Sequence, residues 1–363
     1  MACQNGRMSD AAPRPVLEPL PDRVAVSYVM PVLNEAGHLA RAVEAILSQE
    51  YEGESELVLA LGASTDDTDR IAAELAAADP RIRTVANPLN DIPKGLNAAI
   101  RTSVHPVVIR VDAHAELPPG YTAAAVEILR RTGCGNLGGV MVARGEGPVQ
   151  QAIARAYNSP FGLGGGVYHH GEDETPADSA YLGVFRREVL FAVGLYDDHL
   201  RRAEDWELNS RIRAAGYQVL FTPKLKVTYW PRASLGALRR QMYATGVWRG
   251  HLVRRQKGTP WRYLPPPAVA LIVGFSLLCL LLQVFGVLRG PAGAAAWLAH
   301  LAAGGYVVGA SVVGMTRLDG DRLTDRLLNA AVLITMHLSW GAGFLRGVLF
   351  GAERTVDRSR VTS

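Results

Sequence analysis

The chain has 363 residues, of which 48% are hydrophobic and 20% charged, and its formal net charge is +4. This composition supplies apolar material for a core and too little charge for a disordered chain, and the small net charge does not by itself indicate nucleic acid. Three cysteines form neither a CxxC pair nor an even framework, so a disulfide scaffold and a structural zinc site are disfavoured. At about 150 residues per domain, the length predicts roughly two units.

Residues 1–23 are predicted to be a disordered leader rather than a signal peptide, because they hold four prolines and three acidic residues and no apolar core. Beyond them, short β-rich runs alternate with stretches whose apolar residues recur at helical spacing. The runs are Val24–Met30, Glu56–Leu61, Ile82–Ala86 and Val107–Val111, and the helical stretches surround Leu39–Leu47, Ile71–Ala78 and Lys94–Arg101. This alternation predicts an α/β domain with a mostly parallel sheet.

Three polar segments fall at the carboxyl ends of predicted strands, where parallel sheets bind their ligands. They are Pro31–Glu35, Gly62–Asp66 and Asp112–His114. The chain contains neither GxGxxG nor a GxxxxGK motif, so neither a dinucleotide fingerprint nor a P-loop is indicated.

Asp112 and His114 are a candidate metal pair. A carboxylate and an imidazole two residues apart at a strand end can point into one cleft and hold Mg²⁺ or, better, Mn²⁺. A bound cation would neutralise a diphosphate leaving group. The alternative is a solvated turn that Asp112 caps.

Glu204 and Asp205 open a stretch whose apolar residues mark one helical face and which ends at Gly216. In the first turn, near the positive end of the helix dipole, Asp205 would stay ionised, as a general base for a hydroxyl must be. Simple capping of the helix is the alternative.

The glycine-rich segment Gly162–Gly166, followed by Tyr168, His169 and His170, is predicted to be a flexible lid or hinge. Metal binding by the two histidines is the alternative. Neighbouring side chains of an extended chain point to opposite sides, which favours the loop.

A basic stretch, residues 232–264, holds eight Lys/Arg residues and no Asp/Glu. Beside a membrane such a stretch belongs on the cytoplasmic side and suits anionic lipid headgroups or a lipid phosphate. Its arginines and aromatic residues can hold phosphates or stack sugars, and the candidate acceptor- or phosphate-binding residues are Arg240, Gln241, Trp248 and Arg249. A membrane-surface amphipathic helix would show the same pattern.

Three apolar runs follow. Ala268–Leu288 and Ala292–Met315 are each long enough to cross a bilayer core of about 30 Å. Leu327–Phe350 carries His337 and Arg346 and either spans or lies at the interface. The runs and their basic flanks predict a multi-pass protein of the cytoplasmic (inner) membrane whose soluble domain faces the cytoplasm. If all three runs span, the basic tail falls on the opposite face, against the positive-inside rule.

The order of these motifs resembles that of the family 2 glycosyltransferases, which have a GT-A fold. The motifs are PVLNE, STDDT, KGLN, a strand ending in DAH, and EDWELNSRIRAAG, and they cover roughly Val24–Arg255. The stretches RVDAHAELPPGY, AEDWELN and WPRASLGALRRQMYATGVWR are similar to the succinoglycan-type membrane glycosyltransferases in particular.

The resemblance implies roles for individual residues. A nucleotide-sugar donor would be held by Pro31, Asn34, Glu35, Ser64, Asp66, Lys94, Asn97 and Asp112. A divalent cation, Mn²⁺ or Mg²⁺, would bind Asp112 and His114, and Asp205, beside Glu204, would be the catalytic base. Transfer would then invert the sugar carbon in one in-line displacement.

The sequence departs from the family pattern at two places. Leu61-Gly62-Ala63-Ser64 stands where the family usually has Asp-Asp-Gly-Ser, so the carboxylate that meets the nucleoside is missing unless Asp66 substitutes for it. Met-Tyr-Ala-Thr follows Gln241, so the Gln-x-x-Arg-Trp motif of processive synthases is absent. The second departure favours one addition per encounter over polymerisation.

We therefore expect a GT-A domain at 24–231, a basic juxtamembrane segment at 232–264, a membrane region of two or three helices at 265–351 and a basic tail at 352–363. The expected activity moves one sugar from a nucleotide-sugar donor, preferably UDP-linked, to a lipid-linked saccharide acceptor on a polyprenyl diphosphate. Such a step would serve exopolysaccharide or cell-envelope synthesis, with no nucleic-acid partner. A processive polysaccharide synthase and a non-catalytic membrane scaffold with a GT-A fold are the alternatives.

Overall fold

The structure, a computed structural model, describes residues 15–162, 172–200, 203–255 and 263–352. The chain forms two compact units. Unit 1 comprises Met1–Val140, Gly171–Leu200 and Glu204–Val227, and unit 2 comprises Met141–His170, Arg201–Ala203 and Thr228–Ser363. Apart from Gly162, the predicted glycine loop and the histidines that follow it lie outside the described residues.

Unit 1 is built on a mixed β-sheet. Its strands are β1 (Val26–Val32), β2 (Ser55–Leu61), β3 (Ile82–Ala86), β4 (Val107–Arg110), β5 (Ala115–Glu116), β6 (Asn136–Ala143), β7 (Thr175–Pro176), β8 (Tyr181–Arg186) and β9 (Val219–Tyr229). Their order is β3-β2-β1-β4-β8-β6-β9-β5, with β7 on β9. The first four are parallel neighbours, whereas β8 runs antiparallel to β4 and β6. The predicted α/β fold with a mostly parallel nucleotide-sugar-type sheet is confirmed.

The helices complete both units. They are α1 (Leu39–Leu47), α2 (Thr68–Ala78), α3 (Ile92–Thr102), α4 (Tyr121–Thr132), α5 (Pro148–Tyr157), α6 (Arg187–Ala192), α7 (Glu204–Ala214), α8 (Leu235–Arg255), α9 (Pro265–Val284), α10 (Gly290–Thr316) and α11 (Leu323–Phe350). Helices α5 and α8–α11 belong to unit 2. The segment around α5, which the sequence places inside the 24–231 domain, therefore clusters with the C-terminal helices.

Strand β1 is buried on both faces, which explains its continuous apolar sequence. Tyr28 and Met30 belong to one hydrophobic core together with Leu39 of α1. Val29, which points the other way, belongs to a second core with Leu96 of α3. Helices therefore cover both faces of the sheet and leave its strand ends as the place for a site.

Residues 15–23, the described part of the predicted leader, have no regular secondary structure apart from a turn at its end. Leu17 and Leu20 nevertheless pack against the cores of unit 1, and Arg186 donates a hydrogen bond to the carbonyl of Glu18. Two leucines thus give this segment apolar contacts that its proline-rich composition does not suggest.

Three helices of unit 2 are long and apolar enough to cross a membrane by length and composition. They are α9, α10 and α11, with mean hydropathies of 2.4, 1.5 and 1.3 over their most apolar windows. Large apolar side chains of α9 and α10, such as Leu281 and Trp297, are exposed, as expected of surfaces that face lipid. The three apolar runs of the sequence are therefore helices.

Candidate active site

The segments that follow β1 and β2 are joined by hydrogen bonds. The side-chain oxygen of Asn34 accepts from the Thr65 N–H at 2.8 Å, and the Asn34 N–H donates to Ser64 Oγ at 3.2 Å. The Glu35 N–H donates to Thr68 Oγ1 at 2.7 Å. Asn34 takes a left-handed φ of 54°, a conformation that Asn tolerates better than most residues. These polar side chains therefore fix the two segments against each other.

Asp66 uses both carboxylate oxygens within the same segments. Oδ1 accepts from the Thr68 N–H at 3.1 Å and from its hydroxyl at 2.5 Å, and Oδ2 accepts from the Ala36 N–H at 3.2 Å. Burial opposes ionisation, but these hydrogen bonds outweigh it and lower the pKa of Asp66. Asp66 is thus ionised and links the two segments. That Asp66 takes the place of the missing nucleoside-binding acid stays a prediction.

A buried arginine at the end of β4 joins the two candidate catalytic motifs. Arg110 Nε and Nη2 donate to Asp112 Oδ1 at 3.2 and 3.1 Å. Its Nη1 donates to Asp205 Oδ1, and its Nη2 lies 3.6 Å from Glu204 Oε1. The Arg110 side chain is only 5% exposed. One guanidinium therefore holds three carboxylates, one from the segment that follows β4 and two from the first turn of α7.

The two acids of α7 differ in exposure. The side chain of Glu204 is 6% exposed, whereas that of Asp205 is 30% exposed, so Asp205 is the member that reaches solvent. Burial, the largest influence, raises the pKa of Asp205 to about 7; Arg110 opposes this rise, and the charges of Glu204 and Asp112 add to it. A carboxylate that titrates near neutral pH is suited to general-base catalysis.

The position of Asp205 is fixed by an amide pair beneath it. Asn209 Nδ2 donates to the Asp205 carbonyl at 2.8 Å, one turn back along α7. Asn209 Oδ1 in turn accepts from Asn136 Nδ2 of β6 at 2.6 Å, and both asparagines are buried. The first turn of α7 is therefore connected to strand β6 of the sheet through Asn209 and Asn136.

Asn97 fixes the loop that precedes α7. Its Nδ2 donates to the Tyr196 carbonyl at 2.8 Å and to Asp198 Oδ1 at 2.7 Å, and its Oδ1 accepts from the Tyr196 N–H at 2.9 Å. The ring centroid of Tyr196 lies 5.9 Å from the guanidinium carbon of Arg110. Asn97, predicted to touch the donor, thus places Tyr196 beside Arg110.

His114 contacts the acid of the first motif. His114 Nδ1 lies 2.8 Å from Glu35 Oε1, and both side chains are partly exposed. In the neutral tautomer that donates from Nδ1 to this carboxyl group, Nε2 would carry the lone pair that a metal ion needs. Metal-binding histidines commonly have such a carboxylate partner.

The described residues contain no group of three or more His, Cys, Asp or Glu side chains that could hold a metal ion by itself. Asp112 and His114 supply one oxygen-bearing and one nitrogen-bearing ligand. This donor set fits a cation that is shared with the phosphates of a ligand, since Mg²⁺-type cations are often held by one or two protein groups plus substrate phosphates.

Two further predicted donor-site residues lie near the same strand ends. Pro31 is in β1 opposite Ala60, and Lys94 is half-buried in the first turn of α3. Their contact with a donor stays a prediction.

The predicted acceptor residues lie on α8. Arg240 is exposed, while Arg249 places its guanidinium carbon 4.7 Å from the ring centroid of Tyr263. Gln241 Oε1 accepts from the Tyr157 hydroxyl at 3.3 Å, and Trp248 is 3% exposed. Only the two arginines, therefore, are placed where they could meet an anionic ligand without a change in packing.

Sequence reasoning missed Arg110 and Tyr196. The signal for Arg110 was present, because one arginine interrupts the otherwise apolar strand VVIRV and buried arginines need carboxylate partners. Tyr196 carried no such signal, because its position depends on a hydrogen bond to a residue 99 positions earlier.

This site lies at the strand ends of a sheet whose fold and motifs belong to one class of enzyme. A family model described as Glycosyl transferase family 2 matches residues 27–193. The chain is also 32% identical over 324 residues to the "Succinoglycan biosynthesis protein ExoA" of Rhizobium meliloti (strain 1021), with 88% of this chain and 94% of that protein covered. The chain therefore belongs to glycosyltransferase family 2.

Two more distant proteins extend the comparison. A Methanococcus voltae "Dolichyl N-acetyl-alpha-D-glucosaminyl phosphate 3-beta-D-2,3-diacetamido-2,3-dideoxy-beta-D-glucuronosyltransferase" is 20% identical over 239 residues, covering 63% of this chain and 74% of that protein. The mannosyltransferase PcManGT of Pyrobaculum calidifontis, solved with GDP-Man and Mn²⁺, has a similar structure with a TM-score of 0.58 and 20% identity. That likeness covers 93% of this chain and 91% of the other, and it supports the GT-A fold.

Proposed function

We propose that this protein is a membrane-bound inverting glycosyltransferase that adds one sugar from a nucleotide-sugar donor to a lipid-linked saccharide. The observation that carries the proposal is the Arg110 cluster, which fixes Asp205 beside Asp112 while the Asp205 side chain stays partly exposed. The similarity to a succinoglycan biosynthesis protein supports a role in exopolysaccharide or cell-envelope synthesis.

On the donor side, Asp112 and His114 would hold a divalent cation together with the diphosphate of the donor. When bound, the cation would stabilise negative charge on the departing nucleoside diphosphate. The similar mannosyltransferase structure contains Mn²⁺ and a GDP-sugar, which supports a cation-assisted donor site. The preferred donor nucleotide is UDP, and GDP-sugars serve as the comparison.

Asp205 would act on the acceptor. A carboxylate oxygen of Asp205 would accept the proton of an acceptor hydroxyl, and the oxygen of that hydroxyl would attack the anomeric carbon from the side opposite the diphosphate. The new C–O bond forms as the bond to the diphosphate oxygen breaks, so the configuration at carbon inverts. Arg110 holds Asp205 in place, and buried Glu204 raises the affinity of Asp205 for the proton.

The acceptor is proposed to be a saccharide on a polyprenyl diphosphate. The Methanococcus voltae relative is named for a dolichyl-phosphate-linked acceptor, and the candidate membrane helices adjoin the basic segment of this chain. The arginines of α8, including Arg240 and Arg249, would meet the lipid phosphate. The catalytic unit would face the cytoplasm, on the side of that basic segment.

Transfer of labelled sugar into organic-extractable lipid tests the proposal. Membranes that contain the wild type, Asp205→Asn or Asp69→Asn receive UDP- and GDP-sugars with Mn²⁺, and membranes of the source organism supply the acceptor. We expect Asp205→Asn to lose about 10²–10⁴-fold in rate, the usual contribution of a general base. Asp69→Asn makes the same chemical change in the first turn of exposed α2 and should behave as the wild type.

The outcomes separate the alternatives. Transfer by Asp205→Asn at the wild-type rate would refute the assigned base. Long products in place of single additions would favour a processive synthase. Absence of both transfer and a nucleotide-induced rise in melting temperature with Mn²⁺ would favour a scaffold.

A further inference from the structure

The last helix, α11, packs tightly along α8. A Cβ atom added at Gly246 would meet the backbone oxygen of Trp340, and one added at Gly343 would meet that of Tyr243. Two further glycines, Gly250 and Gly347, repeat this arrangement one turn later against Phe344 and Val247. Because residue 243 meets 343 and residue 247 meets 347, the helices run parallel and in register, with their backbones in contact as in small-residue helix pairs.

The charge of α8 determines how deeply α8 and α11 can lie in a bilayer. Helix α8 contains five arginines and no acidic residue, and Arg239, Arg240 and Arg254 are exposed. A charged arginine at the centre of a bilayer is energetically costly. Helix α8 therefore lies outside the hydrocarbon layer, and the part of α11 beside it, residues 340–350, must lie there too.

The remainder of α11 is too short and too polar to cross alone. Residues 323–339 extend about 25 Å at about 1.5 Å per residue, which is less than the roughly 30 Å hydrocarbon core. This part also carries Asp325 and Arg326, and Asn329 is fully buried with its amide on the carbonyl of Asp319 at 3.0 Å.

Helices α9 and α10 form a hairpin, and α11 packs against both of them. Ser276 Oγ lies 2.8 Å from His300 Nδ1, which sets the register of the hairpin. In that register the first turn of α9 lies level with the last turns of α10. Contacts of α11 occur at this level, where a Cβ at Gly341 would meet Pro266 and one at Gly314 would lie 2.6 Å from Ala330 Cα. They extend along α10 as far as Tyr306, whose hydroxyl oxygen lies 3.2 Å from His337 Nδ1.

An aromatic cluster marks the same level. The Trp340 ring stacks on Tyr263 at 6.3 Å and on Phe344 at 5.3 Å between centroids, and Arg249 covers Tyr263. Tyr263 lies just before α9, where the chain would enter the bilayer. Tyr and Trp concentrate at membrane–water interfaces.

We propose that α11 does not cross the bilayer. Helices α9 and α10 form a two-span hairpin, and the α8–α11 pair lies in the headgroup layer of the leaflet where α9 begins, with the exposed arginines of α8 against anionic headgroups. This arrangement places the three arginines of the loop 317–326 and the three arginines of the tail 353–363 on one face, as the positive-inside rule, which counts Lys and Arg, favours. The arrangement extends beyond the proposed sugar transfer and does not depend on it.

Cysteine labelling tests the topology of the full chain in sealed cells. In a background with Cys3→Ser, Cys134→Ala and Cys279→Ala, single cysteines replace Val287 in the hairpin loop, Asp321 before α11, or Ser363 after it. A membrane-impermeant maleimide labels only cysteines on the outer face of intact cells, and cysteines on both faces once the membrane is opened. Positions 321 and 363 should therefore become labelled under the same condition, and position 287 should show the opposite accessibility. Labelling of 321 and 363 from opposite faces overturns the proposal, as does labelling of 287 from the same face as 321.

Protease protection checks the same positions without removing cysteines. Epitope tags inserted after Asp321 or appended after Ser363 should be cleaved together, in either intact or opened vesicles. Cleavage of one tag in intact vesicles and of the other only after opening overturns the proposal. Because neither readout uses sugar transfer, a wrong topology and a wrong activity give different results.

Discussion

At the scale of single residues, Arg110 decides how the carboxylates of the site are arranged. Without it, Asp112, Glu204 and Asp205 would be like charges in a largely buried space, and the pKa of Asp205, which Arg110 lowers, would rise still further. The Nε, Nη1 and Nη2 groups of Arg110 donate in fixed directions to Asp112 and Asp205. The geometry therefore requires a guanidinium and not merely a positive charge.

We therefore expect Arg110→Lys to lower kcat by about 10²-fold, a loss typical of misplaced catalytic groups, while the KM for the donor changes less. Arg110→Met, which removes the charge, should also lower the melting temperature because it leaves buried carboxylates unpaired. Arg70→Met is the matched control, since Arg70 is exposed on α2 and pairs with Glu74. An Arg110→Lys variant with wild-type kcat would contradict the positioning role.

The pH dependence of activity follows from Asp205. Its pKa is raised to about 7, mainly by burial, and a general base works only when deprotonated. The value of kcat/KM, which reports on the free enzyme, should therefore fall as pH drops below about 7 and approach a tenfold loss per pH unit. Donor binding followed by thermal shift over the same range serves as the control, and a flat profile down to pH 5.5 would contradict the assignment.

The same shift has a consequence for stability. The folded-state pKa of Asp205 lies above the ordinary value of 3.8. The contribution of Asp205 to the free energy of unfolding is therefore fully present below pH 3.8 and is lost as pH rises through about 7. Asp205→Asn should therefore gain melting temperature relative to the wild type at pH 8 and not at pH 4. Melting curves of the detergent-purified pair at both pH values check this sign.

At the scale of elements, the sequence predicts local structure well and long-range pairing poorly. The prediction of β3 at Ile82–Ala86 is confirmed residue for residue, because its β-branched residues Ile82, Thr84 and Val85 favour a strand. The antiparallel strand β8 between β4 and β6 was not predicted, since its partners lie far away in the chain. For the same reason the hydrogen bonds by which Asn34 and Asp66 join the segments after β1 and β2 were not predicted, and their contact with a donor stays a prediction.

The helix pair α8–α11 gives a prediction at this scale. Gly347→Ala places a methyl group against the backbone oxygen of Val247, so the helices must separate, and overpacking of this kind costs about 1–3 kcal/mol. The variant should melt at a lower temperature in detergent. Gly304→Ala makes the same change in α10, where a Cβ would meet nothing within 4 Å, and should melt as the wild type or slightly higher. Equal melting of both variants would show that the glycine contact does not matter.

At the scale of the whole molecule, charge is distributed unevenly along the chain. Residues 232–263 carry eight positive charges and no negative ones, so with a net charge of +4 the remainder is acidic. Hydropathy alone gives α11 as a candidate span and does not show that glycines of α11 pack against α8, a helix rich in arginine.

This charge distribution predicts that activity depends on the lipid. The full chain reconstituted in vesicles with anionic phosphatidylglycerol should be more active on a lipid-linked acceptor than in purely zwitterionic vesicles. The difference should shrink as salt is raised from 0.05 to 0.5 M, because the Debye length falls from about 14 Å to about 4 Å over that range. Arg239→Gln with Arg240→Gln should reduce the preference, since each basic residue near the surface contributes about 1 kcal/mol. Arg70→Gln, a loss of charge on unit 1, should leave it unchanged, and an equal effect of both changes would mean that net charge, and not the face of α8, governs the interaction with lipid.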